Sequence, residues 1–244
     1  SFFLFMTIDL LYPIGGGSVM ADDELRYSLR SVEKHLKNFG KVYIIGKLPS
    51  FLKDVVHIPY DDVDRSKETN IYKKVLRASQ DETISDQFLF LNDDHFFLQD
   101  FDAPTFPYFY KSDLVVTLQR LPHYNLYSKS VLRTAQELQQ LGLPTFNFDT
   151  HTPIIYDKHR FIEVMTKYDW TNRYGFVVKS LYGNSLKIEG VREPDCKLNY
   201  EASKEQIYNV IRDRKVWSIG NKAVCNNLIE VLKELYPNPS RWEI

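Results

Sequence analysis

The sequence predicts an α/β fold, a layered α/β/α sandwich around a mixed, largely parallel sheet, and three observations carry that expectation. Hydrophobic periodicity gives the order strand, helix, strand, strand, helix, strand by residue 91. The run Phe88-Leu89-Phe90-Leu91 is apolar without a break, as a strand entering the interior is. At 244 residues and 43% hydrophobic content, the chain can bury one large core. It is read as one domain over residues 1–244.

Ile8-Asp9-Leu10-Leu11-Tyr12-Pro13 reads as the first strand, and Gly15-Gly16-Gly17-Ser18 as a flexible turn where amides can approach a ligand. No Lys-Ser/Thr follows, so this is not a phosphate loop, and a plain flexible loop is the simpler reading. Asp9 in a buried strand can serve a base or ribose, or a structural ion pair. Asp22-Asp23-Glu24 caps a helix over residues 23–36 that buries Leu25, Leu29, Val32 and Leu36 and is stopped by Gly40. Arg26 and Arg30 stand four apart and offer two guanidinium groups to an anion, unless neighbouring acids pair with them. Strands follow at 42–46 and 55–59. The helix at 69–79 turns Ile71, Val75 and Ala78 inward. Asn70, Lys73 and Lys74 become diphosphate or ribose candidates if the preceding loop leaves from the ligand edge of the sheet, and otherwise form a solvated basic face.

Beyond residue 100, Leu114-Val115-Val116-Thr117-Leu118 reads as a strand and residues 128–141 as an amphipathic helix ended by Gly142 and Pro144. An apolar strand at 154–156 precedes a helix at 158–167. The tail from Ser203 is helical twice, with Val224, Leu228, Leu232 and Leu235 on one face.

Composition narrows the function classes. Charge is balanced, 31 Lys+Arg against 32 Asp+Glu, which gives no strong nucleic-acid signal and selects no membrane or cationic partner. Two cysteines form neither a disulfide framework nor a zinc motif, and a reduced, cytoplasmic setting is expected. Ser1-Phe2-Phe3-Leu4-Phe5 lacks a basic leader and Asp9 soon interrupts it, so neither a signal peptide nor a transmembrane segment is expected; Met6 reads as a native start.

The chemistry concentrates at Asn92-Asp93-Asp94, where the buried strand at 88–91 ends. Two adjacent carboxylates beside a core need a partner, and a divalent Mg²⁺ or Mn²⁺ completed by water and phosphate is the simplest. An Asp-rich turn is the plain alternative. A second pole lies at Asn147-Phe148-Asp149-Thr150-His151-Thr152-Pro153, with Asp149 as candidate base and His151 as metal ligand, anion contact, acid/base or structural hydrogen-bonder.

Several blocks in order resemble the Stealth-type capsular polysaccharide transferases and related bacterial and viral glycosyltransferase-like proteins. They are Glu24-Leu25-Arg26-Tyr27-Ser28-Leu29-Arg30-Ser31, Lys41-Val42-Tyr43-Ile44-Ile45, the stretch around Asn92-Asp93-Asp94, Asp149-Thr150-His151-Thr152-Pro153 and Pro237-Asn238-Pro239-Ser240. Pro13-Ile14-Gly15-Gly16-Gly17 departs from the family, which usually has a Trp-containing acidic segment there. The resemblance implies a GT-A-like fold with an Asp-x-Asp-like motif: Asp94 the main metal ligand, Asp93 a second, Asn92 nearer the ribose, Asp9 by the nucleotide and His151 near the diphosphate or metal. It implies a nucleotide-binding half to residue 100, an acceptor half from 101, and a metal-dependent transfer from a nucleotide-sugar, a UDP-sugar first, to a glycan or other hydroxyl-bearing acceptor that can bring the chain to a membrane periphery. Asp149 is then the first candidate base, with Glu189 and Asp195 in reserve, and Lys179, Arg26 or Arg30 supply charge to phosphates. Sugar-1-phosphate transfer, as in the Stealth proteins, and a non-catalytic nucleotide- or carbohydrate-binding module are the competing expectations.

Overall fold

Along the first strand, Leu10, Tyr12 and Ile14 turn to one side of the sheet and Leu11 to the other, the alternation of a strand covered on both faces. The structure, a computed structural model, describes residues 7–122 and 125–244. The apolar opening and the Met6 start lie outside the described residues. In chain order the elements are β1 (Ile8–Ile14), α1 (Asp23–His35), β2 (Leu36–Lys37), β3 (Phe39–Gly46), β4 (Val56–Ile58), α2 (Lys67–Ser79), β5 (Gln87–Phe90), β6 (His95–Phe97), β7 (Phe101–Asp102) and β8 (Phe109–Tyr110). Then come α3 (Leu114–Leu118), α4 (Leu126–Gln140), β9 (Ile154–Asp157), α5 (Lys158–Met165), α6 (Val178–Ser185), β10 (Val191–Arg192), β11 (Lys197–Leu198), α7 (Lys204–Ile211), β12 (Val216–Ile219) and α8 (Asn226–Leu235).

The main sheet runs β4-β3-β1-β5-β9, with the first four strands parallel and β9 antiparallel at the edge. Leu25, Leu29 and Val32 of α1 cover one face, against Leu10, Tyr12 and Leu89. Tyr72, Val75 and Ala78 of α2, with α4, α5 and α6, cover the other, against Leu11, Phe88 and Phe90. This is the three-layer α/β/α sandwich that the element order predicts. A second sheet, β11-β12-β6, packs Phe96 and Trp217 against α7 and α8. Through β6, the segment right after Asn92-Asp93-Asp94 is tied to the C-terminal part of the chain.

Three local expectations are corrected. Residues 114–118 form helix α3, not a strand: the Asp113 carboxylate accepts the Val115 amide at 2.7 Å, and only Leu114 is buried while Val115 and Val116 are exposed. Gly40 does not stop α1, which ends at His35. Gly40 sits inside β3, where a Cβ would stand 2.3 Å from Asp9 Oδ1, so the glycine makes room for that carboxylate. The helical tail contains strand β12 between its two helices, and Val224 precedes α8 rather than lying on it.

The chain closes on its own first helix. The buried Glu243 carboxylate accepts two bonds from Arg30, at 2.8 and 2.7 Å, one from Arg26 at 3.1 Å and one from the Ser240 amide at 2.8 Å. Burial pushes the Glu243 carboxyl up, and these donors outweigh it, drawing it down to about 2. Its contribution to stability is therefore present above the ordinary carboxylate range and lost as pH falls toward 2. Arg30→Ala is expected to cost roughly 2–3 kcal/mol in denaturant unfolding at pH 7, less than a fully buried pair because Arg26 remains. Pairing it with Glu243→Gln should recover part of the loss, and equal stability of wild type and Arg30→Ala would contradict the clamp.

Candidate active site at the carboxyl edge of the sheet

From β1 the chain moves outward through β3 to β4, then returns to place β5 on the other side of β1. The connections after β1 and β5 thus diverge, opening a crevice where open α/β sheets bind ligands. Residues 15–18 leave from β1 and residues 91–94 from β5. Helices α1 and α2 both begin at this crevice, so their positive dipole ends face it. The result is a cavity of about 960 Å³ whose walls include Gly16, Asn70, Asp93, Asp94, Asp149 and His151. Gly17, at φ +91°, takes a left-handed backbone that permits the turn over the cavity.

The acidic corner lies on this wall. Asp94 Oδ2 accepts Ser218 Oγ at 3.0 Å and Lys197 Nζ at 3.3 Å, both brought in by the second sheet. Asp94 Oδ1 is buried with no partner among the described residues, 4.0 Å from His95 Nε2, beyond hydrogen-bond reach. Burial raises the Asp94 carboxyl, but the Lys197 charge foremost, with His95 and His151, brings it below the usual carboxylate range. Asp93 goes the other way: burial, then the charges of Asp94 and Glu24, push it up to about 7. Glu24 Oε2, on the first turn of α1, is also buried and without a partner among the described residues. Adjacent carboxylates, one of them with an unpartnered buried oxygen, fit a hard divalent cation. Among the described residues no three His, Cys, Asp or Glu side chains gather closely enough to hold a metal alone, so water and ligand oxygens would complete its shell.

The second pole faces the same cavity. Its loop is held from behind: Lys179 Nζ donates to the Thr152 carbonyl at 2.7 Å, and Cys196 Sγ reaches the Thr150 and His151 carbonyls. His151, at φ 54°, turns its Nδ1 to Asp195 Oδ1 at 2.8 Å, and Lys111 Nζ holds the other Asp195 oxygen at 2.7 Å. Tyr127 donates its hydroxyl to Asp149 Oδ2 at 2.7 Å. Burial raises the Asp149 carboxyl, while His151, Lys111, Lys179 and that hydroxyl outweigh it and hold Asp149 well below the usual range.

Of the residues singled out from sequence, Asn92, Asp93, Asp94, Asp149 and His151 come together on one cavity. Asn70 and Lys74 also reach it, since the loop before α2 leaves from the ligand edge. Their polar groups are engaged: Asn70 closes on the Asp64 backbone at 2.9 and 2.8 Å, and Lys74 pairs with Asp62 at 2.7 Å and the Ile14 carbonyl at 3.0 Å. Three others stand elsewhere. Asp9 lies at the amino end of β1, its carboxylate fastened to the Lys41 and Ser85 amides at 2.7 and 2.8 Å, so it joins strands rather than meeting a nucleotide. Arg30 belongs to the Glu243 clamp. Lys179 is buried behind the 149–152 loop and does not line the cavity.

Among solved structures, the chain is similar to a galactosyltransferase, LgtC, in complex with donor and acceptor sugar analogs. Identity is 12% over 95% of this chain and 96% of that one, with a TM-score of 0.48. No family model and no curated protein matches the chain. No helix among the described residues is long and apolar enough to cross a membrane.

Sequence reasoning missed Glu24, Glu68, Lys111, Lys197 and Ser218. For Glu24 and Glu68 a signal existed, because each sits in the first turn of a helix following a parallel strand, the place where such helices meet a ligand. Lys111, Lys197 and Ser218 carry no local sign; tertiary pairing brings them in.

Proposed function

We propose that the chain is a GT-A-like, metal-dependent glycosyltransferase that moves a sugar from a nucleotide-sugar donor, a UDP-sugar first among candidates, to an acceptor hydroxyl. The observation that carries this reading is Asp94 at the crevice beside β5, with one oxygen anchored by Ser218 and Lys197 and the other buried and unpartnered. Asp94 and Asp93 would hold Mn²⁺ or Mg²⁺. When bound, such an ion is a Lewis acid that stabilises charge on a departing diphosphate, worth several kcal/mol. The chain's own groups do the rest. Arg65 and Lys67 on the cavity wall offer charge to phosphates, and the 15–18 turn offers amides. Asn92 faces the ribose side, and the Asp149, His151 and Asp195 pole faces the acceptor.

Thermal unfolding with Mn²⁺ and a panel of nucleotide-sugars tests this. A donor at about a hundred times its Kd adds roughly 2.7 kcal/mol, some 5–10 °C for a chain of this size. If no nucleotide-sugar shifts the transition, the reading fails; a shift without turnover indicates a binding module.

His151 held by Asp195 favours a second reading, sugar-1-phosphate transfer. An imidazole oriented by a carboxylate can activate a hydroxyl for attack on phosphorus as well as on carbon. A phosphodiester in the product would select it.

A further inference from the structure

We propose that Glu68, rather than Asp149, takes the proton of the acceptor hydroxyl; this rests on the glycosyl-transfer reading above. Glu68 stands on the first turn of α2 and lines the cavity. Its described hydrogen bond is from the Val178 amide to Oε2 at 3.3 Å, and among the described residues no cation is paired with it. Asp149 has the Tyr127 hydroxyl on Oδ2 and lies in the field of His151, Lys111 and Lys179. A carboxylate so strongly held in its ionised form is a poor proton acceptor.

The groups around Glu68 come from four elements and one loop: Lys67 on its own helix, Asp149 on the loop before β9, Lys179 on α6, Tyr127 on α4 and Tyr156 on β9. Burial first, then the Asp149 charge, push the Glu68 carboxyl up to about 7. Two acids in one cavity are thus driven apart in proton affinity, the arrangement that divides acid/base roles between carboxyl groups. The buried Tyr156 hydroxyl, without a partner among the described residues, lies in the same field.

In the step, the acceptor oxygen bonds to the anomeric carbon while the bond from that carbon to the diphosphate oxygen breaks. The electron pair leaves on the diphosphate, and the acceptor's proton passes to Glu68, which becomes a neutral acid until solvent removes the proton.

The test compares Glu68→Gln, Glu68→Asp and Asp149→Asn by the pH profile of transfer, beside the Mn²⁺- and UDP-dependent thermal shift. Wild-type rate should climb through pH 7 to a plateau. Glu68→Gln should lose about 10²- to 10³-fold and flatten that limb, while its thermal shift stays within 1–2 °C of wild type, roughly threefold in affinity. Glu68→Asp should keep the limb at a lower rate. A Glu68→Gln enzyme with the limb intact and a rate within tenfold of wild type overturns the proposal, as does a limb that vanishes only in Asp149→Asn. If wild type neither binds UDP nor transfers, the glycosyl-transfer reading itself has failed, a result distinct from these.

Discussion

Asp94→Ala should remove cation-dependent stabilisation and lower transfer by about 10³-fold or more, since a Lewis-acid contribution of several kcal/mol goes with it. The same substitution should leave the cation-free melting temperature within a few degrees of wild type. Asp94 contributes a charge-assisted contact to Lys197 and Ser218, but it also keeps a buried oxygen without a partner, and removing it relieves that penalty. Lys197 is left with its ammonium at the cavity wall, where water can reach it. Calorimetry with and without Mn²⁺, beside a donor-turnover assay, reads both halves. A Mn²⁺-dependent shift that survives in Asp94→Ala would move the cation elsewhere.

Asp93→Asn should stabilise the protein at pH 8 and have little effect at pH 4. The Asp93 carboxyl is pushed up to about 7 by burial and by the charges of Asp94 and Glu24. Between its ordinary value and 7 the folded chain keeps this proton while the unfolded chain releases it, so stability falls as pH rises through that window. Glu68 acts with the same sign over the same range. An amide cannot ionise, so Asp93→Asn should flatten part of this decline and raise the transition at pH 8 by roughly 3–6 °C. If the variant instead melts lower than wild type at pH 8, the side chain is held by favourable contacts and the strain assigned to it is absent. A stabilising substitution at a residue proposed to hold the cation is what a site built for chemistry rather than stability predicts.

Much of this was legible in the sequence. Apolar runs marked β1, β3 and β5, and helical spacing placed Leu25, Leu29 and Val32 on the buried face of α1. Asn92-Asp93-Asp94 stood out because charge follows directly on a buried strand. Asp9 was misplaced for a reason the sequence does contain: it falls second in its strand, at the amino end, whereas parallel sheets bind ligands at the carboxyl end. The run 114–118 misled because four apolar residues and a threonine, partly β-branched, suit a short helix as well as a strand, and Asp113 decided between them by capping. Lys197 and Ser218 were out of reach, 103 and 124 residues from the aspartate they hold.

One of the two margins of the main sheet bears on handling. That margin is β4, three residues long and followed by Pro59, which has no amide hydrogen to give a neighbouring chain. His57 Nε2 lies 2.8 Å from the Gly46 carbonyl, on the adjoining strand of the same molecule. An intruding strand would find little to grip there, so ribbon-like aggregation through this margin should be resisted in concentrated samples, and Pro59→Val should weaken that resistance.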